Sequence, residues 1–259
     1  MTRPGDGPGR LGELLQSRGA SVVHWPCIRF DPPEDPEPLR AAAGRPAFYD
    51  WLVITSPRAA RRWLAVAEAT AGSPSRDRPR VAVAGPGTAD VLRGAGWRVD
   101  RIPDEYSARG LVAAFEDASD VSGARVLFPC SDRAGAELPD GLRRLGAHVD
   151  RVVAYRTVPT PPEPEEVLEA ASSGRVGVVT FTSPSTVEGF LSELRGTARA
   201  AVVGRLRSAA IGPTTAEALD RNRWPPVVAA EATLEALAAV AVEAASDGSR
   251  THGAKEVSG

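Results

Sequence analysis

The stretch Trp51-Leu-Val-Ile-Thr-Ser-Pro57 ends in a tripeptide that returns 127 residues later as Thr182-Ser183-Pro184. A fixed spacing of this kind indicates duplicated structure. The same offset relates several other groups: Leu11 with Leu138, Val22 with Val149, Gly85-Pro86 with Gly212-Pro213, Thr88-Ala89 with Thr215-Ala216, and Trp97 with Trp224. Coincidence would give scattered single matches, whereas these matches keep one offset from residue 11 to residue 97. The chain is therefore predicted to consist of two copies of one half.

Short apolar runs alternate with segments of helical spacing along both copies. The runs 51–54, 81–84 and 126–128 are rich in residues that favour strands, and helical spacing follows, for example over 59–67 and 89–94. Short runs that are apolar throughout are typical of strands buried on both faces. Alternation of such strands with helices predicts parallel sheets covered by helices. We therefore predict an α/β protein with two flavodoxin-like domains, each a three-layer α/β/α sandwich.

Two proline-rich segments, 30–38 and 158–164, occupy equivalent places in the two copies. Such segments resist helix and sheet and act as semi-rigid spacers. A division there gives an inserted domain, residues 36–157, and a split domain made of residues 1–30 and 161–245. Each then has five candidate strands, near 51–55, 81–84, 99–102, 125–129 and 149–154 in the first, and near 1–3, 21–25, 176–182, 208–211 and 227–230 in the second. The two segments are expected to form a two-stranded hinge.

The composition excludes several classes of protein. Hydrophobic residues make up 42% of the chain and charged residues 25%, which is ordinary for a globular protein. The formal net charge is −2, so no general positive field attracts nucleic acid or an acidic membrane. No apolar run approaches the roughly 20 residues that span a bilayer. We expect a cytoplasmic monomer without nucleic-acid or membrane partners, whose last residues, 246–259, form a disordered tail because they are almost entirely polar.

The loops that follow the predicted strands carry many hydrogen-bond donors. Ligands of open parallel sheets bind beyond the carboxyl ends of the strands. Ser-Pro and Gly-Pro place a capping residue before a proline in the first helical turn, and the free N–H groups of that turn attract anions. The candidate binding residues from these loops are Arg3, Ser56, Arg58, Gly85, Ser131, Ser185 and Gly212. The alternative is that each loop only caps its helix.

The sequence contains no clear motif for a metal ion, a nucleotide or an activated thiol. The three histidines, His24, His148 and His252, are far apart and unpaired with cysteines, so no metal site is predicted. The loop that begins at Gly85 lacks the third glycine of a dinucleotide fingerprint. Cys130 stands at a strand end, but no histidine is placed by the sequence to activate it, so we interpret it as a buried bystander. No cofactor is expected.

The two copies differ at Tyr155, which corresponds to Ile28. Tyr155 is predicted to end the last strand of the inserted domain, beside the second linker. It is either an aromatic cover for the end of the sheet or a hydroxyl facing the cleft between the domains. In the second case it would be the one obvious proton donor found in a single copy.

Together these motifs resemble the uroporphyrinogen-III synthase family over nearly the whole chain. The resemblance rests on the following segments: Thr2-Arg3-Pro4, Thr55-Ser56-Pro57-Arg58, Val83-Ala-Gly-Pro-Gly-Thr88, Val153-Ala-Tyr-Arg-Thr157, Phe181-Thr-Ser-Pro-Ser185 and Ala210-Ile-Gly-Pro-Thr-Thr215. It implies a cofactor-free lyase of tetrapyrrole biosynthesis that cyclises hydroxymethylbilane with inversion of the last pyrrole ring and loss of water. It also implies that Tyr155 takes part in hydroxyl loss and that Thr88, Ser183, Thr214 and Thr215 bind the substrate. The substrate's acetate and propionate groups suit N–H, hydroxyl and Arg donors.

One strand of the first copy is shortened in this sequence. The second copy has Arg125-Val-Leu-Phe-Pro129 before its loop, whereas Met1 alone precedes Thr2-Arg3-Pro4. We expect either a truncated central strand in the split domain or a start placed too late. Two rival functions fit the same loops: a non-catalytic sensor of tetrapyrroles or other polyanions, and a sugar- or phosphate-handling transferase, which should carry a nucleotide-binding signature.

Overall fold

The structure is a computed structural model that describes residues 1–5, 7–71, 78–194 and 196–253 of the chain. Contacts divide the chain into two compact units. One combines Met1–Phe30 with Val158–Gly259 and is called the split unit, and the other, Asp31–Thr157, is called the middle unit.

The elements alternate between helices and strands along most of the chain. In chain order they are α1 (Gly9–Gln16), β1 (Ile28–Asp31), α2 (Glu37–Ala43), a 3₁₀ turn (Pro46–Phe48), β2 (Trp51–Ile54), α3 (Pro57–Ala71), β3 (Arg80–Val83), α4 (Pro86–Gly94), α5 (Ala108–Ala118), β4 (Arg125–Ser131), α6 (Glu137–Arg144), β5 (His148–Pro159), α7 (Pro164–Ser172), β6 (Val178–Phe181), α8 (Pro184–Leu191), α9 (Gly196–Arg205), β7 (Arg207–Ala210), α10 (Pro213–Arg221), β8 (Pro226–Val228) and α11 (Leu234–Gly253).

Two sheets organise these elements. Five strands form a sheet in the order β1-β5-β4-β2-β3, and three form a second sheet in the order β6-β7-β8. The pairs β2–β3, β2–β4, β4–β5, β6–β7 and β7–β8 are parallel. Strand β2, which lies between β4 and β3, is buried along its whole length, as expected for a strand covered on both faces. The prediction of a mixed α/β fold with parallel sheets is confirmed.

The repeat is visible in the strand register. Trp51 is the partner of Arg80 between β2 and β3, and Val178 is the partner of Arg207 between β6 and β7. Each member of the second pair lies 127 residues after its counterpart. Helices α4 and α10 begin and end at this same offset, because Gly-Pro starts both. The duplication therefore extends from sequence to backbone geometry.

The split unit has an aromatic core. The rings of Phe181 and Trp224 lie 5.5 Å apart between centroids, and Phe190 packs on Phe181 at 5.6 Å, both edge to face. All three side chains are essentially buried. Burial of rings of this size stabilises a fold strongly, and the edge-to-face arrangement adds to it.

Several expected strands are shorter or missing. Residues 21–27 form no regular strand, although the Trp25 N–H donates to the Met1 carbonyl oxygen at 2.9 Å and the Met1 ammonium donates to the Val23 carbonyl oxygen at 2.7 Å. The Cys27 N–H donates to the Thr2 carbonyl oxygen at 3.3 Å, so these bonds form a short fragment of a ladder. Near residues 99–102 the structure has a single bridge, Ala82 to Arg101.

The proline-rich segments are more ordered than predicted. Strand β1 continues to Asp31 and β5 to Pro159, so both segments begin inside the sheet. Arg156 of β5 donates to the Pro32 carbonyl oxygen and forms an ion pair with Glu34, which ties the first segment to β5. At the other end of the chain, α11 reaches Gly253, so residues 246–253, where the sequence predicts a disordered tail, are helical. The remainder of that tail, residues 254–259, lies outside the described residues.

Candidate functional site

In the middle unit, the candidate loops follow three adjacent strands. Ser56 comes after β2, Gly85 comes after β3, and Ser131 is the last residue of β4. Because the sheet order places β2 between β4 and β3, and these strands are parallel, the three loops lie along one edge of the sheet.

In two of the predicted binding residues, Ser56 and Ser183, the hydroxyl oxygen caps the following helix. The Ala59 N–H donates to Ser56 Oγ at 3.1 Å, and the Thr186 N–H donates to Ser183 Oγ at 3.3 Å. Both bonds satisfy a first-turn amide of the following helix. The capping alternative is thus correct for these oxygens, while each hydroxyl hydrogen can still be donated.

The Gly-Pro loops are capped differently. Gly85 and Gly212 precede α4 and α10 in extended conformation, and neither has a side chain to accept a first-turn N–H. Thr88 and Thr215, three residues further on, are each 3% exposed, whereas Thr214 is exposed. A glycine cap leaves the helix N-terminus open to an external acceptor, and the positive end of the helix dipole favours an anion there.

Tyr155, Arg58 and Ser131 come together in the middle unit. The guanidinium carbon of Arg58 lies 5.9 Å from the centroid of the Tyr155 ring, and Ser131 is the register partner of Tyr155. Tyr155 is 8% exposed and lies inside β5, four residues before its end, and not at the strand terminus as predicted. Burial lowers the pKa of Arg58, and the nearby phenol of Tyr155 opposes this shift.

A bulge in β5 determines that Tyr155 is the register partner of Ser131. Cys130 is the partner of Val153, but Ser131 is the partner of Tyr155, so Ala154 is an extra residue on β5. A bulge changes the direction in which the following side chains point. The sequence gives no signal for it.

A network of hydrogen bonds holds the loop after β4. Asp132 Oδ1 accepts from the Thr157 N–H at 3.0 Å and from Ser131 Oγ at 2.9 Å. The Arg151 guanidinium donates to the carbonyl oxygens of Asp132 and Ala134. Sequence reasoning missed the supporting roles of Arg151 and Thr157, because these roles depend on register, although Thr157 ends the motif Val153–Thr157.

Tyr106 is a further residue that the sequence analysis does not name as a site candidate. It is 66% exposed and lies against Gly85, where an added Cβ would come within 3.4 Å of the Tyr106 Cβ. An exposed aromatic beside an anion-ready helix end offers a flat apolar surface to a ligand that has rings as well as carboxylates. Gly85 leaves room for this ring.

In the split unit, the loops hold Arg3, Ser183, Ser185, Gly212, Thr214 and Thr215. Arg3 and Ser185 are half-buried. His24 Nε2 lies 2.8 Å from the Arg3 carbonyl oxygen, and the Thr2 hydroxyl donates to the Thr180 carbonyl oxygen at 2.9 Å, which fixes the backbone on both sides of the first loop.

The described residues give little support for a nucleophilic thiol, a metal site or a membrane-spanning helix. Burial raises the pKa of the Cys130 thiol, which is 1% exposed, so this cysteine is not an activated nucleophile. Among the described residues, no group of three or more His, Cys, Asp or Glu side chains could hold a metal ion. In the same part of the chain, none of the helices is both long and apolar enough to cross a bilayer.

The fold and these loops define a class: an α/β protein of duplicated design whose loops carry neutral and cationic hydrogen-bond donors. The chain belongs to the uroporphyrinogen-III synthase family, because the family model described as uroporphyrinogen-III synthase HemD matches residues 9–239. A protein of Methanothermobacter thermautotrophicus, named provisionally as a uroporphyrinogen-III synthase, is 33% identical over 95% of this chain and 98% of its own length. The uroporphyrinogen-III synthase of Synechococcus elongatus is 32% identical over 78% of this chain and 77% of its own.

Solved structures show the same fold at low sequence identity. A mutant uroporphyrinogen III synthase from the extremely thermophilic bacterium Thermus thermophilus has a TM-score of 0.64 and 18% identity, with 92% of this chain and 95% of that chain covered. The corresponding protein from Helicobacter pylori has a TM-score of 0.58 and 17% identity, with 86% and 93% covered.

Proposed function

We propose that this chain is a uroporphyrinogen-III synthase, which cyclises hydroxymethylbilane to uroporphyrinogen III with inversion of the last pyrrole ring and loss of water. The observation that carries the proposal is the family match over residues 9–239. The relatives that are about one third identical are named for the same activity. The loops described above agree with it, since they suit a small molecule with many carboxylates.

Binding is assigned to the donors of both loop sets. The glycine-capped starts of α4 and α10, with Thr88, Thr214 and Thr215, receive substrate carboxylates, and Arg3 and Arg58 add charge. Ser56, Ser183, Ser185 and Ser131 donate their hydroxyl hydrogens. Each charge-assisted hydrogen bond contributes about 1.5–3 kcal/mol, so a few of them hold a polyanion firmly.

Tyr155 is assigned to the loss of the hydroxyl group. Its phenolic O–H donates a hydrogen bond to the substrate hydroxyl and transfers its proton as the carbon–oxygen bond breaks, so that the hydroxyl leaves as water. The phenolate regains a proton from the substrate, which releases one when the macrocycle closes. The Arg58 guanidinium beside the ring supports this placement of Tyr155. The register pairing with Ser131 and the hydrogen-bonded loop behind it hold the phenol in a defined position.

The finer features of the proposal are architectural. The two units act as flavodoxin-like domains, residues 36–157 and residues 1–30 with 161–245, and the paired linkers act as a two-stranded hinge. The enzyme works as a cytoplasmic monomer without a cofactor, nucleic acid or membrane. Its own contribution is to hold the linear tetrapyrrole so that inversion precedes ring closure.

The test is incubation with hydroxymethylbilane followed by separation of the uroporphyrin isomers after oxidation. Formation of the type III isomer supports the proposal. Tight binding of hydroxymethylbilane with only the spontaneous type I isomer as product would instead identify a non-catalytic tetrapyrrole-binding member of the family, which is the second candidate function.

A further inference from the structure

Arg151 of β5 donates hydrogen bonds to the loop that follows β4. Its Nη2 atom lies 3.3 Å from the Ser131 carbonyl oxygen, 3.1 Å from that of Asp132 and 3.2 Å from that of Ala134. Arg151 itself is the register partner of Phe128, so its side chain extends along the sheet towards the end of β4. A guanidinium that contacts three carbonyl oxygens fixes the direction of three peptide groups, because each carbonyl turns its negative end to the cation.

One of these peptide groups also bonds to the backbone of Tyr155. The carbonyl oxygen of Ser131 and the N–H of Asp132 belong to the same planar peptide group. That oxygen accepts from Arg151, and that N–H donates to the Tyr155 carbonyl oxygen at 3.1 Å. A rotation of this peptide group would break both bonds together, and hydrogen bonds in such a chain polarise one another. Arg151 therefore acts on the backbone of Tyr155 through a single peptide group.

These bonds lie where β5 departs from regular pairing. Ala154 is the extra residue of the bulge, and Ser131 and Tyr155 are the first partners after it. A bulge interrupts the ladder locally, so the residues beside it depend on other contacts for a defined position. Asp132 supplies one such contact, because its Oδ1 accepts from the Thr157 N–H at 3.0 Å. The loop is thus held by a guanidinium on its carbonyl oxygens and by its own carboxylate on an amide of β5.

The other copy has the same kind of contact at the equivalent position. His24 corresponds to Arg151 at the 127-residue offset, and Arg3 corresponds to Cys130, directly before Ser131. His24 Nε2 lies 2.8 Å from the Arg3 carbonyl oxygen, so this ring nitrogen carries the hydrogen of the bond. The side chain at this one position therefore donates to a loop carbonyl oxygen in both copies, although histidine has replaced arginine or the reverse. A contact that persists while the side chain changes favours a role in holding the loop.

We propose that Arg151 is a positioning residue for the proposed reaction: it holds the loop of residues 131–134, and through it the backbone at Tyr155, in the geometry that loss of the substrate hydroxyl needs. The inference rests on the proposed function, since it concerns the same site. Arg151 acts through the loop and touches none of the reacting atoms. Loss of its bonds should slow the chemical step more than it weakens binding, because a displaced proton donor costs rate.

The test compares the variants Arg151→Met, Arg151→Lys and Arg143→Met. Methionine has no hydrogen-bond donor, whereas lysine keeps a cation with three donors. Arg143 is the matched control, because it is also exposed and donates to a carbonyl oxygen of β5, that of Val149, at 3.2 Å. Val149 lies roughly 20 Å of strand before Tyr155, far from the loop. The kcat and KM for hydroxymethylbilane, the thermal melt and amide hydrogen exchange are measured for each variant.

We expect Arg151→Met to lower kcat on the order of tenfold and to change KM less than about threefold, because the loop keeps its Asp132 bond and a full displacement of 1 Å costs roughly 10²-fold. Arg151→Lys should recover most of the rate, and Arg143→Met should keep it. The amides of Asp132 and Thr157, which belong to the hydrogen-bonded loop, should exchange faster in Arg151→Met than in Arg143→Met.

A wild-type kcat in Arg151→Met, an equal loss of rate in Arg143→Met or in Arg151→Lys, or failure of Arg151→Met to fold would each overturn the proposal. The unchanged protein is assayed first, and its failure to form the type III isomer would count against the proposed function instead. In that event the exchange rates decide whether Arg151 positions the loop, and equal exchange of the two amides in Arg151→Met and Arg143→Met would overturn it.

Discussion

Tyr155 is one of the residues at which the two copies differ chemically. Positions 28 and 155 correspond under the 127-residue offset, yet one carries an aliphatic side chain and the other a phenol. Burial at 8% exposure is compatible with packing, whereas the approach of Arg58 and the bulge that re-aims the strand are compatible with the proposed role.

We predict that Tyr155→Phe keeps the fold but slows conversion of hydroxymethylbilane on the order of 10²-fold, because a positioned proton donor is lost. Tyr49→Phe is the matched control, since the Tyr49 hydroxyl donates to Asp150 Oδ2 at 2.9 Å and belongs to none of the candidate loops. It should lose stability without losing rate. Single-turnover conversion and thermal melts of both variants measure this. A wild-type rate for Tyr155→Phe would make Tyr155 a packing residue.

At the scale of elements, α8 packs closely on residues 26–28. A Cβ added at Gly189 would lie 2.1 Å from the Cys27 carbonyl oxygen, which is backbone and cannot easily move. We predict that Gly189→Ala lowers the free energy of unfolding by about 1–3 kcal/mol, because α8 and residues 26–28 must separate.

Gly204 is the control for this substitution. It lies in α9 of the same unit, and an added Cβ there meets nothing within 4 Å. Gly204→Ala should raise the free energy of unfolding by about 0.5–1 kcal/mol through the helix propensity of alanine. Urea unfolding of Gly189→Ala and Gly204→Ala measures both free energies of unfolding. Equal changes in the two variants would contradict the close packing of α8.

The fragment of strand at Met1 makes stability depend on pH. The pKa of its ammonium is lowered from 8.0 to about 6, so between these values the unfolded chain holds a proton that the folded chain releases. The unfolding free energy should therefore rise between pH 6 and pH 8, by at most about 2.7 kcal/mol. Cys27, the nearest titratable partner, stays protonated throughout this window, since burial raises its pKa to about 12.

Urea unfolding at pH 6 and pH 8 measures this rise. A form that carries Arg-Asn-Gln between an initiator methionine and Met1 is the control, because its charged terminus is no longer at Met1 while all histidines are retained. It should show a smaller rise. The same rise in both forms would assign the pH dependence to other groups.

The sequence predicts where helices and strands begin better than it predicts which strands pair and which side chains make contact. Gly85-Pro86 and Gly212-Pro213 mark the starts of α4 and α10, because proline fits only the first helical turn. The apolar residues of 21–25 also indicate a strand, but a strand depends on its neighbours on the sheet, and residues 23–27 bond to Met1 and Thr2 in a short fragment of a ladder. The contact of Arg58 with Tyr155 depends on a bulge at Ala154, for which no residue type is a reliable signal.

On the scale of the whole molecule, duplication supplied two loop sets on parallel sheets, and their divergence left a phenol at position 155 where position 28 has an isoleucine. The register pairs of β2–β3 and β6–β7 coincide under the 127-residue offset, so the two scaffolds are equivalent at these strands. At these strands the copies therefore differ in their side chains and not in their register. Membership of the family extends over residues 9–239, which include candidate loops of both units.

The central claim is tested most directly by the isomer composition formed from a fixed amount of hydroxymethylbilane at increasing concentrations of this protein. Spontaneous closure gives the type I isomer, so that isomer alone is expected without protein or with heat-unfolded protein. The account predicts that the type III fraction rises with the concentration of folded protein until it is nearly the whole product. A product that remains type I at every concentration, from protein that is folded and binds hydroxymethylbilane, would contradict it.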